Sequence, residues 1–108
     1  MTYDEIYTLL CRAATANHSV LSGLPDTSAD LHITGRSSGT IGAMIKNGTP
    51  VITKGSTGYP DATITISGDD FSALITGKLN PMTAMFTGRI KATGDYMKLM
   101  SIIKLIKN

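Results

Sequence analysis

The sequence predicts an α+β domain: a five-stranded, mainly antiparallel sheet with helices packed on one of its faces. Apolar residues recur with the helical period near both ends of the chain and with period two through its middle. The strand-like runs also place Thr, Ser, His and Lys opposite the apolar positions, so one sheet face meets water and the other takes the helices. With 108 residues, 42% of them hydrophobic and 17% charged, and a net charge of +2, the chain amounts to one domain spanning residues 1–108. Such a chain buries one core and has space for a modest pocket only.

Thr2 followed by Glu5 has the spacing of a capping box, and Ile6, Leu9, Leu10, Ala13 and Ala14 follow on one helical stripe, predicting a helix over residues 3–16. Residues 17–30 collect Asn, His, Ser, Gly, Pro and Asp and read as a connecting loop with one short turn. Alternation then begins. Leu31, Ile33 and Gly35 set the first strand, Ile41, Ala43 and Ile45 the second, and Asn47-Gly48 predicts a tight hairpin into a third over residues 49–54. A Gly- and Pro-containing loop follows, and Ala62, Ile64 and Ile66 alternate with Thr63, Thr65 and Ser67 as a fourth strand.

From Gly68 the helical period returns. Asp69 and Asp70 suit a helix start, Phe71, Leu74 and Ile75 supply its apolar side, and Gly77 ends it. Asn80-Pro81 starts a second short helix with Met82, Met85 and Phe86, stopped by Gly88. Residues 89–93 form a fifth strand, and Asp95 caps a last helix with Leu99, Met100, Ile102, Ile103 and Ile106 on its apolar arc.

Groups suited to catalysis are sparse. His18 and His32 have no second metal ligand at a workable spacing, and Cys11 lies on an apolar helix face as a buried thiol. The glycine-rich run 35–42 lacks the Lys-Ser/Thr of a phosphate loop and joins two strands, which makes it a hairpin. No pair of carboxylates stands apart for acid-base work. The chain is therefore expected to be neither an enzyme nor a metal or cofactor protein. One cysteine, no secretory pattern at the start and no long apolar run point to the cytosol. Residues 89–108 carry five cations against Asp95. That imbalance suits transient contact with an anionic membrane surface or simple solvated helix charge, whereas the absence of interleaved aromatics speaks against nucleic acid.

Met82, Met85, Met97 and Met100 crowd the last part of the chain together with Phe71, Phe86 and several Ile and Leu. Methionine is flexible and polarisable, so adaptable apolar surfaces use it, although a Met-containing core is the plainer account. Here the residues also resemble a known family. Ala62-Thr-Ile-Thr-Ile-Ser67 before Asp69-Asp70-Phe71, then Thr76-Gly-Lys-Leu-Asn-Pro81, Ala84-Met-Phe86 and Gly88-Arg-Ile-Lys-Ala-Thr-Gly94 are similar to the sterol carrier protein type 2, or non-specific lipid-transfer protein, domain. The likeness is close over residues 41–106 and general in layout before that.

The resemblance implies a hydrophobic tunnel between sheet and helices that takes fatty acids, fatty acyl-CoA, sterols or phospholipids and catalyses nothing. Carried over by position, its walls are Phe71 and Ile75, then Met82, Met85 and Phe86, then Leu99, Met100, Ile103 and Ile106. The basic balance of residues 89–108 adds the expectation that Lys91, Lys98 or Lys104 neutralises a carboxylate or phosphate head at the mouth. A lipid or fatty acyl ligand is the expected partner, with the protein itself a monomer or homodimer. A non-catalytic accessory domain that dimerises or docks through the same apolar helices is the alternative. Eukaryotic members often finish with a peroxisomal address, which Lys107-Asn108 does not provide, in keeping with a bacterial or archaeal cytosol.

Overall fold

Thr2 fixes where the first helix begins. Its Oγ1 accepts the Glu5 N–H at 3.2 Å, and Glu5 Oε1 accepts the Thr2 N–H at 3.0 Å, satisfying two backbone donors that a helix start leaves free. Helix α1, Tyr3–Ala16, turns Ile6, Leu10, Ala13 and Ala14 inward. The computed structural model describes residues 2–95 and 97–98. A short helix α2, His18–Leu21, follows where the sequence suggested one turn in a loop.

Strand β1 spans Thr27–Thr34 and thus starts four residues ahead of Leu31, inside the expected loop. The cause is a distant polar clamp. Asp30 is 4% exposed, yet its carboxylate accepts hydrogen bonds from the Thr57 N–H at 2.9 Å, the Thr57 hydroxyl at 3.0 Å and the Ser56 hydroxyl. A buried carboxylate is tolerable only when so partnered. Beyond Thr34 the chain makes a 3₁₀ turn, Gly35–Ser37, before β2, Gly39–Lys46.

Asn47 and Gly48 adopt φ of 52° and 76°, the left-handed pair of a type I′ hairpin turn, and lead into β3, Thr49–Lys54. Strand β4 covers Ala62–Ser67 with strict alternation of buried and half-buried residues. Helix α3, Gly68–Ile75, is capped by the Ser67 hydroxyl, and α4, Pro81–Phe86, by Asn80 Oδ1 with proline in the first turn. Strand β5, Ile90–Gly94, closes the sheet.

The strand order is β3-β2-β1-β4-β5. Among the strands of the described residues β1 and β4 pair in parallel, while β1–β2, β2–β3 and β4–β5 are antiparallel, so the expected mainly antiparallel sheet is present. Helix α1 packs over β3, α3 over β4 and α4 over β5. The core lies between these helices and one sheet face, with Ile6, Ile41 and Phe71 fully buried.

Candidate functional site

The helix-facing side of the sheet is an apolar floor built by register. Ile41, Leu31, Ile64 and Ala92 form one row across four strands, and Ala43, Ala29 and Ala62 form the next across three. The alanine row is buried to 6%, 2% and 1% exposure, and methyl side chains there leave the floor lower than the Ile and Leu row beside it. The opposite face carries Thr40, His32, Thr65 and Lys91 in one register row, with His32 Nδ1 at 3.0 Å from the Thr40 hydroxyl.

The residues expected to wall a tunnel occupy different depths. Phe71 on α3 is completely buried, and Ile75 and Met85 are half-buried against the core. Helix α4 is pinned by Ala84, fully buried against the sheet side, which leaves Met82 52% and Phe86 88% exposed. The structure thus brings Phe71, Ile75 and Met85 to the core while Met82 and Phe86 stand at its edge. Leu99, Met100, Ile103 and Ile106 lie outside the described residues.

The cations expected at a head group separate in the same way. Lys91 alternates onto the polar face beside Thr65, because Ile90 and Ala92 take the apolar one. Lys98 Nζ is 3.2 Å from Asp61 Oδ2. Lys104 falls outside the described residues. No local pattern in the sequence marks Asp61, for its partners lie far away in the chain: it also accepts the Ser28 N–H at 3.0 Å, and its carbonyl accepts the Asp95 N–H at 2.8 Å. The Ser28 N–H, followed by the Lys98 ammonium, lowers the Asp61 pKa. Asp95 Oδ1 in turn accepts the N–H groups of Met97 and Lys98 at 3.0 and 3.2 Å, the cap expected there.

Cys11 is half-buried and, with Ala14, His18, Pro50 and Ile52, borders a surface groove of about 310 Å³ between α1 and β3. That volume stands at the lower limit for small-molecule sites, and none of the expected wall residues borders it. Among the described residues no group of three or more His, Cys, Asp or Glu could hold a metal, and no helix is long and apolar enough to cross a membrane.

An open-edged mixed sheet with helices over one apolar face, and a polar opposite face, defines an α+β domain built around a sheet-floored apolar interior. Residues 9–107 match the SCP-2 sterol transfer family, and the chain belongs to that family. Human sterol carrier protein 2 is 43% identical over 61 residues, which cover 54% of this chain and 11% of that protein. Mouse peroxisomal multifunctional enzyme type 2 is 41% identical over 81 residues, covering 68% of this chain and again 11% of that protein. The chain therefore corresponds to a small part of these relatives. In three dimensions it is similar to the sterol carrier protein domain 2 of Helicoverpa armigera, with a TM-score of 0.72, 28% identity and coverage of 94% of this chain and 83% of that one. The palmitated SCP2L2 of Aedes aegypti shares the fold at a TM-score of 0.69 and 18% identity, covering 93% of each chain. Family membership supports lipid binding or transfer in general as the class of activity.

Proposed function

We propose that this chain is a low-specificity lipid carrier that works as one non-catalytic domain in the cytosol. Its ligand is a fatty acid, fatty acyl-CoA, sterol or phospholipid held in a hydrophobic tunnel between the sheet and its helices. The observation that carries this reading is the apolar floor of Ala43, Ala29 and Ala62 beside Ile41, Leu31 and Ile64, bordered by Phe71, Ile75 and Met85. A family relative with palmitate, the Aedes aegypti protein, supports an acyl ligand. So does the likeness to the fatty acid-binding protein of Yarrowia lipolytica, 37% identical over 51 residues, covering 47% of this chain and 40% of that protein.

Burying an acyl chain of about sixteen carbons at roughly 0.8 kcal/mol per methylene yields roughly 12 kcal/mol. Loss of translational and rotational freedom takes about 4 kcal/mol or more, which leaves low-micromolar affinity with no hydrogen bond to the chain. Head-group selection is accordingly weak. Native mass spectrometry of gently purified protein, followed by titration of the delipidated protein with a fluorescent fatty acid, tests this. Co-purified lipid and saturable micromolar binding are expected; a lipid-free protein that ignores the fatty acid overturns it.

A second reading, an accessory docking domain, draws support from the relatives themselves, since matching 11% of a multifunctional enzyme is the pattern of a module within a longer chain. A lipid-free dimer in the same mass spectra would favour it.

A further inference from the structure

We infer that the outer edge of β5 pairs with the same strand of a second copy of this chain, antiparallel, around a two-fold axis through Ala92. The two ends of the strand order β3-β2-β1-β4-β5 are built differently. At β3 the edge is closed. The two-residue turn makes Lys46 and Thr49 the first hydrogen-bonded pair of the hairpin, so Pro50 and Ile52 turn their backbone groups outward. Proline has no N–H to offer, and the Ile52 carbonyl already accepts the Tyr7 hydroxyl at 3.4 Å. Strand β5 contains no proline, and among the described strands it pairs with β4 alone. Its Lys91, Thr93 and Gly94 are exposed. An open row of N–H and C=O groups of this kind is a template for another strand. Helix α4, which packs over β5, also leaves Phe86 88% exposed, so the element above this edge carries apolar surface in need of cover.

Register and charge make a second copy the occupant. Opposite residues of an antiparallel pair point to the same side of the sheet, so odd positions of β5 must face odd positions of the copy. Centring the pair on Ile90 or Lys91 sets cation directly against cation, which is repulsive. Centring it on Thr93 leaves only Ala92, Thr93 and Gly94 paired. Ala92 is the midpoint of Ile90–Gly94, and centring there pairs the whole strand, with Lys91 opposite Thr93 of the second copy and Ile90 opposite its Gly94. Just outside, Arg89 falls opposite Asp95 of the second copy, an opposite-charge contact made twice by symmetry. Both residues are exposed. Their N–H groups are engaged within the chain, Arg89 with the Ala84 carbonyl at 2.9 Å and Asp95 with the Asp61 carbonyl at 2.8 Å, so this contact is made by side chains. Arg89 can turn to it, since its Nε lies 3.9 Å from Asp70 Oδ1, and Asp95 brings a second carboxylate oxygen beside the Oδ1 that caps the following turn. The axis is perpendicular to the sheet, so the apolar floors of the two copies join on one side.

The pairing leaves the interior between sheet and helices untouched, so it does not depend on the carrier reading. Sedimentation velocity of the intact protein over a range of concentrations is the test, and a concentration-dependent dimer is expected. Thr93→Lys sets a cation opposite Lys91 of the second copy and should weaken the dimer about five-fold, whereas Thr93→Glu should tighten it by a similar factor. Thr93 is exposed, so circular dichroism of both variants should match wild type. In a Cys11→Ser background, Ala92→Cys brings two thiols face to face at the axis and should oxidise to a disulfide-linked dimer, while Thr93→Cys, diagonal to its counterpart across the ladder, should not. The Thr93 pair decides by itself if Ala92→Cys does not fold. A protein that stays monomeric at every concentration overturns the pairing. So does a dimer that responds alike to both charges at position 93, or one that cross-links through Thr93→Cys in preference to Ala92→Cys. A dimer dissolved by Phe86→Ser and indifferent to Thr93→Lys places the contact on α4 and overturns it as well. Fatty acid binding by wild type in the same buffer reports on the carrier reading alone, so the two can fail independently.

Discussion

Asp30 and Gly42 are directly paired across the β1–β2 ladder, and the missing side chain at Gly42 is the space through which the loop after β3 reaches Asp30. A Cβ at position 42 would lie 2.6 Å from Thr53 Oγ1, 2.8 Å from the Gly55 carbonyl oxygen and 2.8 Å from Thr57 Cγ2. Thr57 is also the residue that donates twice to Asp30. The glycine and the carboxylate therefore act together: one admits the loop and the other binds it.

Gly42→Ala should consequently destabilise the protein, even though the position is an ordinary strand one. Overpacking against backbone costs roughly 1–3 kcal/mol, and each kcal/mol lowers the Tm by about 4–8 °C in a domain near this size. Thermal unfolding followed by circular dichroism reads the shift. An unchanged Tm would mean that the loop is not seated against β2.

Asp30 should make the protein acid-sensitive. Burial alone would raise its pKa, but the Ser56 hydroxyl and the Thr57 N–H and hydroxyl outweigh burial and hold it below the ordinary carboxylate value. A carboxyl depressed on folding stabilises fully above its unfolded pKa of about 3.9, and that contribution disappears as pH falls through the folded value. Asp30→Asn should cost about 1–3 kcal/mol near neutrality. In urea titrations the gap between variant and wild type should narrow only in strong acid. A gap that persists there would place the role of Asp30 in packing and not in charge.

Thr53 offers the opposite case, because its Oγ1 is buried without a hydrogen-bond partner. Replacing an unpaired buried hydroxyl by a methyl group of similar shape removes a desolvation cost. Thr53→Val should leave stability unchanged or raise it by up to about 1 kcal/mol, as read from the urea midpoint. A loss of more than about 1 kcal/mol would show that the hydroxyl matters to the loop.

Ala62 tests the lowered floor. If ligand space lies above the alanine row, Ala62→Leu enters that space, lowers fluorescent fatty acid affinity several-fold and costs less than about 1 kcal/mol of stability, whereas a filled interior would charge the full 1–3 kcal/mol of overpacking. Binding titrations and urea unfolding on the same preparation separate the outcomes. Intact affinity combined with a large stability loss would remove the alanine row from the site.

What could be read from the chain was what neighbouring residues decide. The Thr2–Glu5 capping box, the Asn80 cap with Pro81, the Asn47-Gly48 turn and the alternation of residues 62–67 are complete within a few positions, and each formed where expected. The start of β1 was hidden because Asp26 to Asp30 looks like loop composition until Ser56 and Thr57, far along the chain, satisfy Asp30. In the site, residue types were legible but depth was not. Helical spacing puts Met82, Met85 and Phe86 on the apolar side of α4, yet the burial of Ala84 against the sheet decides which of them stays outside. Lys98 and Asp61 were both visible as charges, and only the fold makes them a pair.

The parallel seam between β1 and β4 governs how the molecule is assembled. Strands β1, β2 and β3 are joined by short connections and can zip together locally within about microseconds, whereas Ala29 must wait for Ala62, and such distant pairing is the slow part of reaching the native state. During synthesis the first three strands emerge as an unfinished sheet whose β1 flank stays bare until β4 leaves the ribosome. For that interval the nascent chain carries a sticky border open to a neighbour's strand, which is sealed when the second half arrives.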